Sequence, residues 1–218
     1  MGGKLFNLSR MPTAEYLKRE ASMRAYLDQK LQGQYRIPRF YGDKPDFGDM
    51  DIIVPEREDW DELRQEIKQE LGIEQHRTIG HVFSTVYQGL KIDFFTVPQR
   101  YLESTHTFMS FNDLSNFLGR MVRRFNLKYG EQGLCYVYRR DSDSHYKREL
   151  EVTQDFSKIC AFLGLNYPQW VEGFASLEGG GNTPIALRSP KTSRRWKPSH
   201  RHWPSTAGIF MPRCTRLA

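Results

Sequence analysis

The sequence predicts an α+β protein. Two observations carry that reading. Segments with helically spaced apolar residues recur along the chain, and β-branched and aromatic runs between them are joined as hairpins. The 218 residues, 39% of them hydrophobic, suffice for one or two domains with a core.

The first helix is expected over residues 12–32, with Thr13 as a candidate cap and with Leu17, Ala21, Leu27 and Leu31, and Tyr16 and Met23 nearby, giving a mostly helical spacing. Gly33 stops it. "YRIPRFYG" reads as a short strand, pushed towards a sheet edge by Pro38. "MDIIVP" is a second strand, ended by Pro55. Residues 59–71 form a helix with Leu63, Ile67 and Leu71 on one stripe and acids crowding its first turn, where the helix dipole favours them.

Residues 82–97 form a hairpin about Gln88-Gly89-Leu90. A third helix is expected over residues 113–129, capped by Asn112 or Asp113, with Leu114, Phe117, Leu118, Met121 and Phe125 recurring helically. "GLCYVYRR" and "YKRELEV" form a second hairpin through the polar turn "DSDSH", and two short helices follow at 155–163 and 168–175. This order divides the chain into an N-terminal helix (1–35), a central α/β unit (36–103), a small C-terminal subdomain (104–178) and a tail (179–218).

The net charge of +6 is unevenly spread. Residues 179–218 hold eight bases and no acid, which leaves 24 bases against 26 acids in residues 1–178, a net of −2. Nucleic-acid binding by the body must therefore rest on a local patch. The tail has five of the eleven prolines and no periodicity, and is expected to be disordered. Two origins stay open for it: a basic segment for polyanions, or a frameshifted or truncated end. His200, His202, Trp196 and Trp203 lie within it. Three widely spaced cysteines, Cys135, Cys160 and Cys214, fit neither a disulfide framework nor a zinc site and point to a reducing cytoplasm. No apolar run is long enough to span a membrane, and "MGGKLFNLSR" lacks the apolar stretch of a signal peptide. Phe6 stands where a myristoylation signal needs Ser or Thr. The four histidines of the body, His76, His81, His106 and His145, have no metal-like spacing.

The chemistry concentrates in "DFGDMDIIVPE" and "LKIDFFTVP". Residues i and i+2 of a strand share a face, so Asp49 and Asp51 project together from a strand that begins after Gly48. Adjacent carboxylates repel and cost free energy to bury unpaired, and a divalent metal is their natural partner. Asp93 sits in an otherwise apolar strand with Lys91 and Phe95 on its face. Pairing of the two strands brings three carboxylates together, a set able to hold two metals ~4 Å apart and clamp an in-line displacement.

These two motifs resemble the nucleotidyltransferase superfamily, and within it the family X DNA polymerases of the polymerase beta type. The resemblance covers roughly residues 36–175. It implies a palm with a mixed sheet and flanking helices, plus a small α/β C-terminal subdomain. It also implies Asp49, Asp51 and Asp93 as catalytic, metal-binding residues for two Mg²⁺ or Mn²⁺ ions. "FNDLSNFLGRMVRR" is similar in spacing to the family's helix at the nascent base pair, which implies nucleotide contacts for Asn116 and Arg120. The steric-gate region would fall near Phe108 and Met109.

Two departures stand out. The superfamily's Gly-Ser phosphate grip has as its nearest counterpart Gly42-Asp43, closer to Gly48, with Lys44 and Arg39 available to compensate for the aspartate. Only about 35 residues precede the palm, so the layout is similar to the minimal viral members. The expected site thus comprises Asp49, Asp51 and Asp93, with Gly42, Lys44, Gly48, Asn116 and Arg120 for nucleotide. Basic side chains at Lys44, Lys91, Arg120, Arg123 and Arg124 would neutralise phosphate, the last two on a nucleic-acid backbone.

The expected partners are a nucleoside triphosphate and DNA or another hydroxyl acceptor, with no membrane, for a monomer in the cytoplasm (a host's, if the chain is viral). The implied reaction is nucleotidyl transfer to a hydroxyl by a minimal gap-filling DNA polymerase. A template-independent nucleotidyltransferase acting on RNA, protein or a small molecule is the alternative, and a catalytically degenerate binding module is a third reading.

Overall fold

The computed structural model describes residues 6–111, 114–140 and 143–176, without the side chains of 139–140 and 143–147. The elements are β1 (Met11–Pro12), α1 (Thr13–Leu31), β2 (Asp46–Phe47), β3 (Asp49–Pro55), α2 (Trp60–Glu70), β4 (His76–Ile79), β5 (Val82–Tyr87) and β6 (Leu90–Val97). They continue with α3 (Leu102–Met109), α4 (Leu114–Arg123), β7 (Leu127–Gly130), β8 (Gly133–Arg140), β9 (Asp143–Thr153), α5 (Phe156–Leu163) and α6 (Tyr167–Glu172).

Four strands form a mixed sheet in the order β3-β6-β5-β4, in which β3 and β6 are parallel and the other pairs antiparallel. Strand alternation sorts its side chains. Met50, Ile52 and Val54 of β3 and Ile92 and Phe94 of β6 enter a core closed by Tyr16, Met23, Leu27 and Leu31 of α1 and by Leu63 and Ile67 of α2. The intervening residues Asp49, Asp51, Lys91 and Asp93 are thereby turned to the opposite face. Further along β3, Ile53 packs there with Val97 and with Leu102 and Met109 of α3.

The second sheet, β7-β8-β9, is an antiparallel meander. A second core gathers Leu114, Leu118 and Val122 of α4, Tyr129, Leu134, Phe156, Ile159 and Phe174, together with Tyr41 and Phe111. The described residues thus form an α+β fold with a mixed four-stranded sheet flanked by helices.

Several local expectations need correction. Thr13 does not cap α1; it is the first helical residue, and its hydroxyl donates to the Lys44 carbonyl. Leu17 and Ala21 face solvent, because Tyr16 and Met23 turn inward instead. The expected strand at "YRIPRFYG" contracts to one bridge, Arg36 to Ile53 beside β3. The third helix stops at Arg123 rather than 129. Asn126 takes a left-handed φ of 57°, and Leu127–Gly130 gains a strand partner in β8. Phe125, beyond the helix end, is exposed, and Phe117 is exposed within α4, off the stripe of Leu114, Leu118 and Val122. Helix α3 and strands β1, β2 and β4 lack a clear periodic signal, and β4, all of whose residues are exposed, forms through its ladder with β5. The "DSDSH" turn, the Asn112 and Asp113 caps and the tail lie outside the described residues in whole or part. No described helix is long and apolar enough to cross a membrane.

Candidate active site

The parallel register of β3 and β6 pairs Asp49 with Lys91 and Asp51 with Asp93. Ligand oxygens from Asp49, Asp51 and Asp93 all lie within 4.8 Å of one another. A two-residue turn at Gln88–Gly89 sets the β5–β6 register, which places Ser84 opposite Asp93. The Ser84 hydroxyl donates to Asp93 Oδ1 at 2.6 Å, and Lys91 Nζ donates to Asp93 Oδ2 at 2.6 Å. The same ammonium stands 3.7 Å from Asp49 Oδ2.

Three carboxylates this close strain their own ionisation. Loss of water pushes the Asp51 carboxyl up to about 7, the charges of Asp49 and Asp93 add to the shift, and Lys91 and Lys44 oppose it. A divalent cation relieves that repulsion and satisfies the carboxylate oxygens. The hard oxygen donors, their convergence and the raised Asp51 all fit such an ion.

Beside Asp49 and Asp51 lies a small cleft lined by Tyr16, Arg39, Lys44, Phe47 and Met109, among others. Tyr16 stacks on Phe47 with ring centroids 3.6 Å apart, and Lys44 Nζ stands 4.0 Å above the Phe47 ring. Burial lowers the Lys44 ammonium against the attraction of Asp49 and Asp51. Gly48 is buried at the bend between β2 and β3. Met109 thus lies beside the triad, whereas Phe108 packs edge-on against Tyr129.

The remaining expected residues are placed differently. The Gly42 and Asp43 amides, which would face phosphate, donate to the carbonyls of Phe174 (3.0 Å) and Ala175 (2.8 Å). Arg39 is held by the Trp170 carbonyl at 2.8 Å and lies over the rings of Phe111 and Trp170. Asn116, Arg120, Arg123 and Arg124 are exposed on or just beyond α4, away from its buried stripe. Arg120 and Arg123 make no ion pair with a described residue, and Arg124 stands 5.0 Å over the Phe125 ring.

Sequence reasoning passed over Ser84 and the full engagement of Asp93. Both were encoded in register. A two-residue turn after Tyr87 makes Ser84 the partner of Asp93, and the i, i+2 spacing puts Lys91 on its face.

This arrangement, a mixed sheet presenting three carboxylates from adjacent parallel strands, defines a polymerase beta-like fold. The solved structures of Leishmania infantum polymerase beta are similar to it. Its ternary gap complex matches with a TM-score of 0.52 at 14% identity, over 73% of this chain and 69% of that one. Its ternary P/T complex matches with a TM-score of 0.53 at 14% identity, over 73% and 74%. No protein-family model and no curated protein matches the sequence.

Proposed function

We propose that the protein transfers a nucleotidyl group from a nucleoside triphosphate to a hydroxyl, as a minimal family X-like DNA polymerase acting on short gaps. The observation that carries this is the convergence of Asp49, Asp51 and Asp93 from β3 and β6 within 4.8 Å. The likeness to polymerase beta structures, one a ternary gap complex, supports the choice of reaction and of partner.

Asp49, Asp51 and Asp93 would hold two Mg²⁺ or Mn²⁺ ions. When bound, these supply Lewis acidity at the attacking hydroxyl and neutralise charge at the leaving pyrophosphate. Ser84 holds the Asp93 carboxylate in place and fixes its orientation. Lys44, at the cleft beside Asp49 and Asp51, meets phosphate oxygens. Asn116 and Arg120 take the nucleotide, and Arg123 and Arg124 take the nucleic-acid backbone through charge-assisted hydrogen bonds. The Gly42 amide reaches phosphate only after its bond to Phe174 opens. The 36–103 division serves as the palm, the N-terminal helix of 1–35 closes its core, and 104–178 serves as the small C-terminal subdomain.

The test offers labelled primer–template, gapped duplex, unpaired primer and RNA with each nucleotide and Mg²⁺ or Mn²⁺. Template-dictated extension, abolished by Asp51→Ala, supports the proposal. Extension of unpaired ends alone would transfer support to a template-independent nucleotidyltransferase. No transfer to any acceptor would leave only a binding module.

A further inference from the structure

Asp93 has no idle oxygen. Oδ1 accepts from Ser84 and Oδ2 accepts from Lys91, each at 2.6 Å. The Lys91 side chain is only 12% exposed and also lies 3.7 Å from Asp49 Oδ2. One ammonium therefore bridges two of the three carboxylates. Each carboxylate oxygen keeps a second lone pair, so Ser84 and a cation can share Asp93, but the Lys91 ammonium sets a positive charge between Asp93 Oδ2 and Asp49 Oδ2 and so competes with a cation that draws on both.

The two partners of Asp93 differ in how readily they leave. Ser84 is short, buried at 5% exposure and fixed directly opposite in the β5–β6 ladder. Lys91 carries its charge on a flexible four-carbon stem whose side chain keeps 12% exposure. Moving Lys91 costs a rotamer change and gives its ammonium back to water. Moving Ser84 would strand a buried carboxylate oxygen.

Resting on the reading of the triad as a divalent-metal site, we infer that Lys91 is a built-in counter-ion that holds the three carboxylates together until a divalent cation displaces it. Loading of the site is then an exchange of one ammonium for metal, and Lys91 is a positioning residue that sets the occupancy threshold. The exchange is reversible and non-covalent. Lys91 limits affinity in two ways, by occupying Oδ2 and by repelling the incoming charge, while it keeps the empty site from unfavourable carboxylate repulsion.

The sign of the effect distinguishes this role from simple support of Asp93. Mn²⁺ binding to the full chain is measured by electron paramagnetic resonance, and melting is followed with EDTA and with Mn²⁺. Lys91→Met is expected to bind the first Mn²⁺ at least about tenfold tighter than wild type. It should melt lower than wild type in EDTA and show the larger metal-induced rise. Lys91→Arg, which keeps the charge, should bind no tighter than wild type. Equal or weaker Mn²⁺ binding by folded Lys91→Met overturns the inference.

If Lys91→Met does not fold, the wild-type Lys91 ammonium is followed by NMR. Loss of its slow-exchanging signal on adding Mg²⁺ supports displacement, and an unchanged signal overturns it. Asp51→Asn separates the two readings. Loss of Mn²⁺ in Asp51→Asn with unchanged affinity in Lys91→Met sinks the counter-ion role alone. Wild-type affinity in Asp51→Asn, or no Mn²⁺ binding by wild type and Lys91→Met alike, sinks the metal site with it.

Discussion

Asp51 on β3 lies directly across the parallel ladder from Asp93 on β6, and the two carboxylates share one face of the sheet. Neither side chain can turn away without breaking the alternation that seats Met50, Ile52, Ile92 and Phe94 in the core. The repulsion between them is thus built into the register, and its relief is available to any cation that binds there.

Asp51→Asn removes one charge from that cluster. In EDTA at pH 8 the variant should be more stable than wild type by about 1–3 kcal/mol, since a half-buried carboxylate crowded by Asp49 and Asp93 is only partly offset by Lys91 and Lys44. Nucleotidyl transfer should fall by at least about a thousandfold, a loss typical of removing electrostatic stabilisation from a transition state. Thermal melts and primer extension on the same preparation check both directions.

The raised Asp51 carboxyl gives a pH dependence whose sign follows from linkage. The folded form holds this proton up to about 7, above the ordinary value of 3.8. The stabilisation is therefore full below about pH 4 and is lost as pH rises towards 7 in metal-free protein. Metal binding expels that proton, so apparent Mg²⁺ affinity should climb by up to about tenfold per pH unit below 7 and level off above it. Calorimetric titrations between pH 5.5 and 8 test this; a flat profile would contradict the assignment.

Ser84→Ala leaves Asp93 Oδ1 without its donor. The expected cost is about 1–2 kcal/mol in chemical denaturation. Metal affinity or activity should drop about 10–100-fold, because a misoriented carboxylate is a poorer ligand. Ser84→Thr, which keeps the hydroxyl, should recover most of the loss.

Gly173 joins α6 to Phe174 at φ 98°, and an added Cβ would stand 2.7 Å from Arg39 Nη2. Gly173→Ala should destabilise the protein by about 1–3 kcal/mol, through backbone strain and displacement of the Arg39 guanidinium from the Trp170 carbonyl. Unfolding by urea measures the cost. The same change should loosen the Phe174–Gly42 and Ala175–Asp43 bonds, and amide exchange at Gly42 and Asp43 should accelerate.

Replacing Arg123 and Arg124 together by Gln should weaken duplex binding and reduce the dependence of log affinity on log salt by up to about 2, one for each phosphate no longer neutralised. Melting temperature should stay within error, since both side chains are exposed and off the buried stripe. An unchanged salt slope would remove these arginines from the proposed nucleic-acid surface.

Much of this architecture is legible along the chain because it is local. "MDIIVP" is a short β-branched apolar run ended by a proline, "VFSTVYQGLKIDFFTV" carries its own turn, and Asp49, Asp51 and Asp93 stand out as acids in apolar company. The α4 helix was less legible. Leu114, Phe117, Leu118, Met121 and Phe125 have helical spacing, yet the left-handed Asn126 and the pairing of Leu127–Gly130 with β8 end the helix early. That pairing depends on residues further along the chain, which no local period reports.

By itself the sequence determined the α+β class, the strands that carry the carboxylates and their common face, since side-chain alternation and a two-residue turn are short-range geometry. Only the tertiary structure decided that β3 and β6 run parallel in a register placing Asp51 opposite Asp93. It also decided that the Gly42 and Asp43 amides are taken by Phe174 and Ala175. Those outcomes rest on hydrogen bonds between residues about 40 and 130 positions apart. Their pairing is selected by which faces must be buried against α1, α2 and the C-terminal aromatic core, and no local pattern contains that choice.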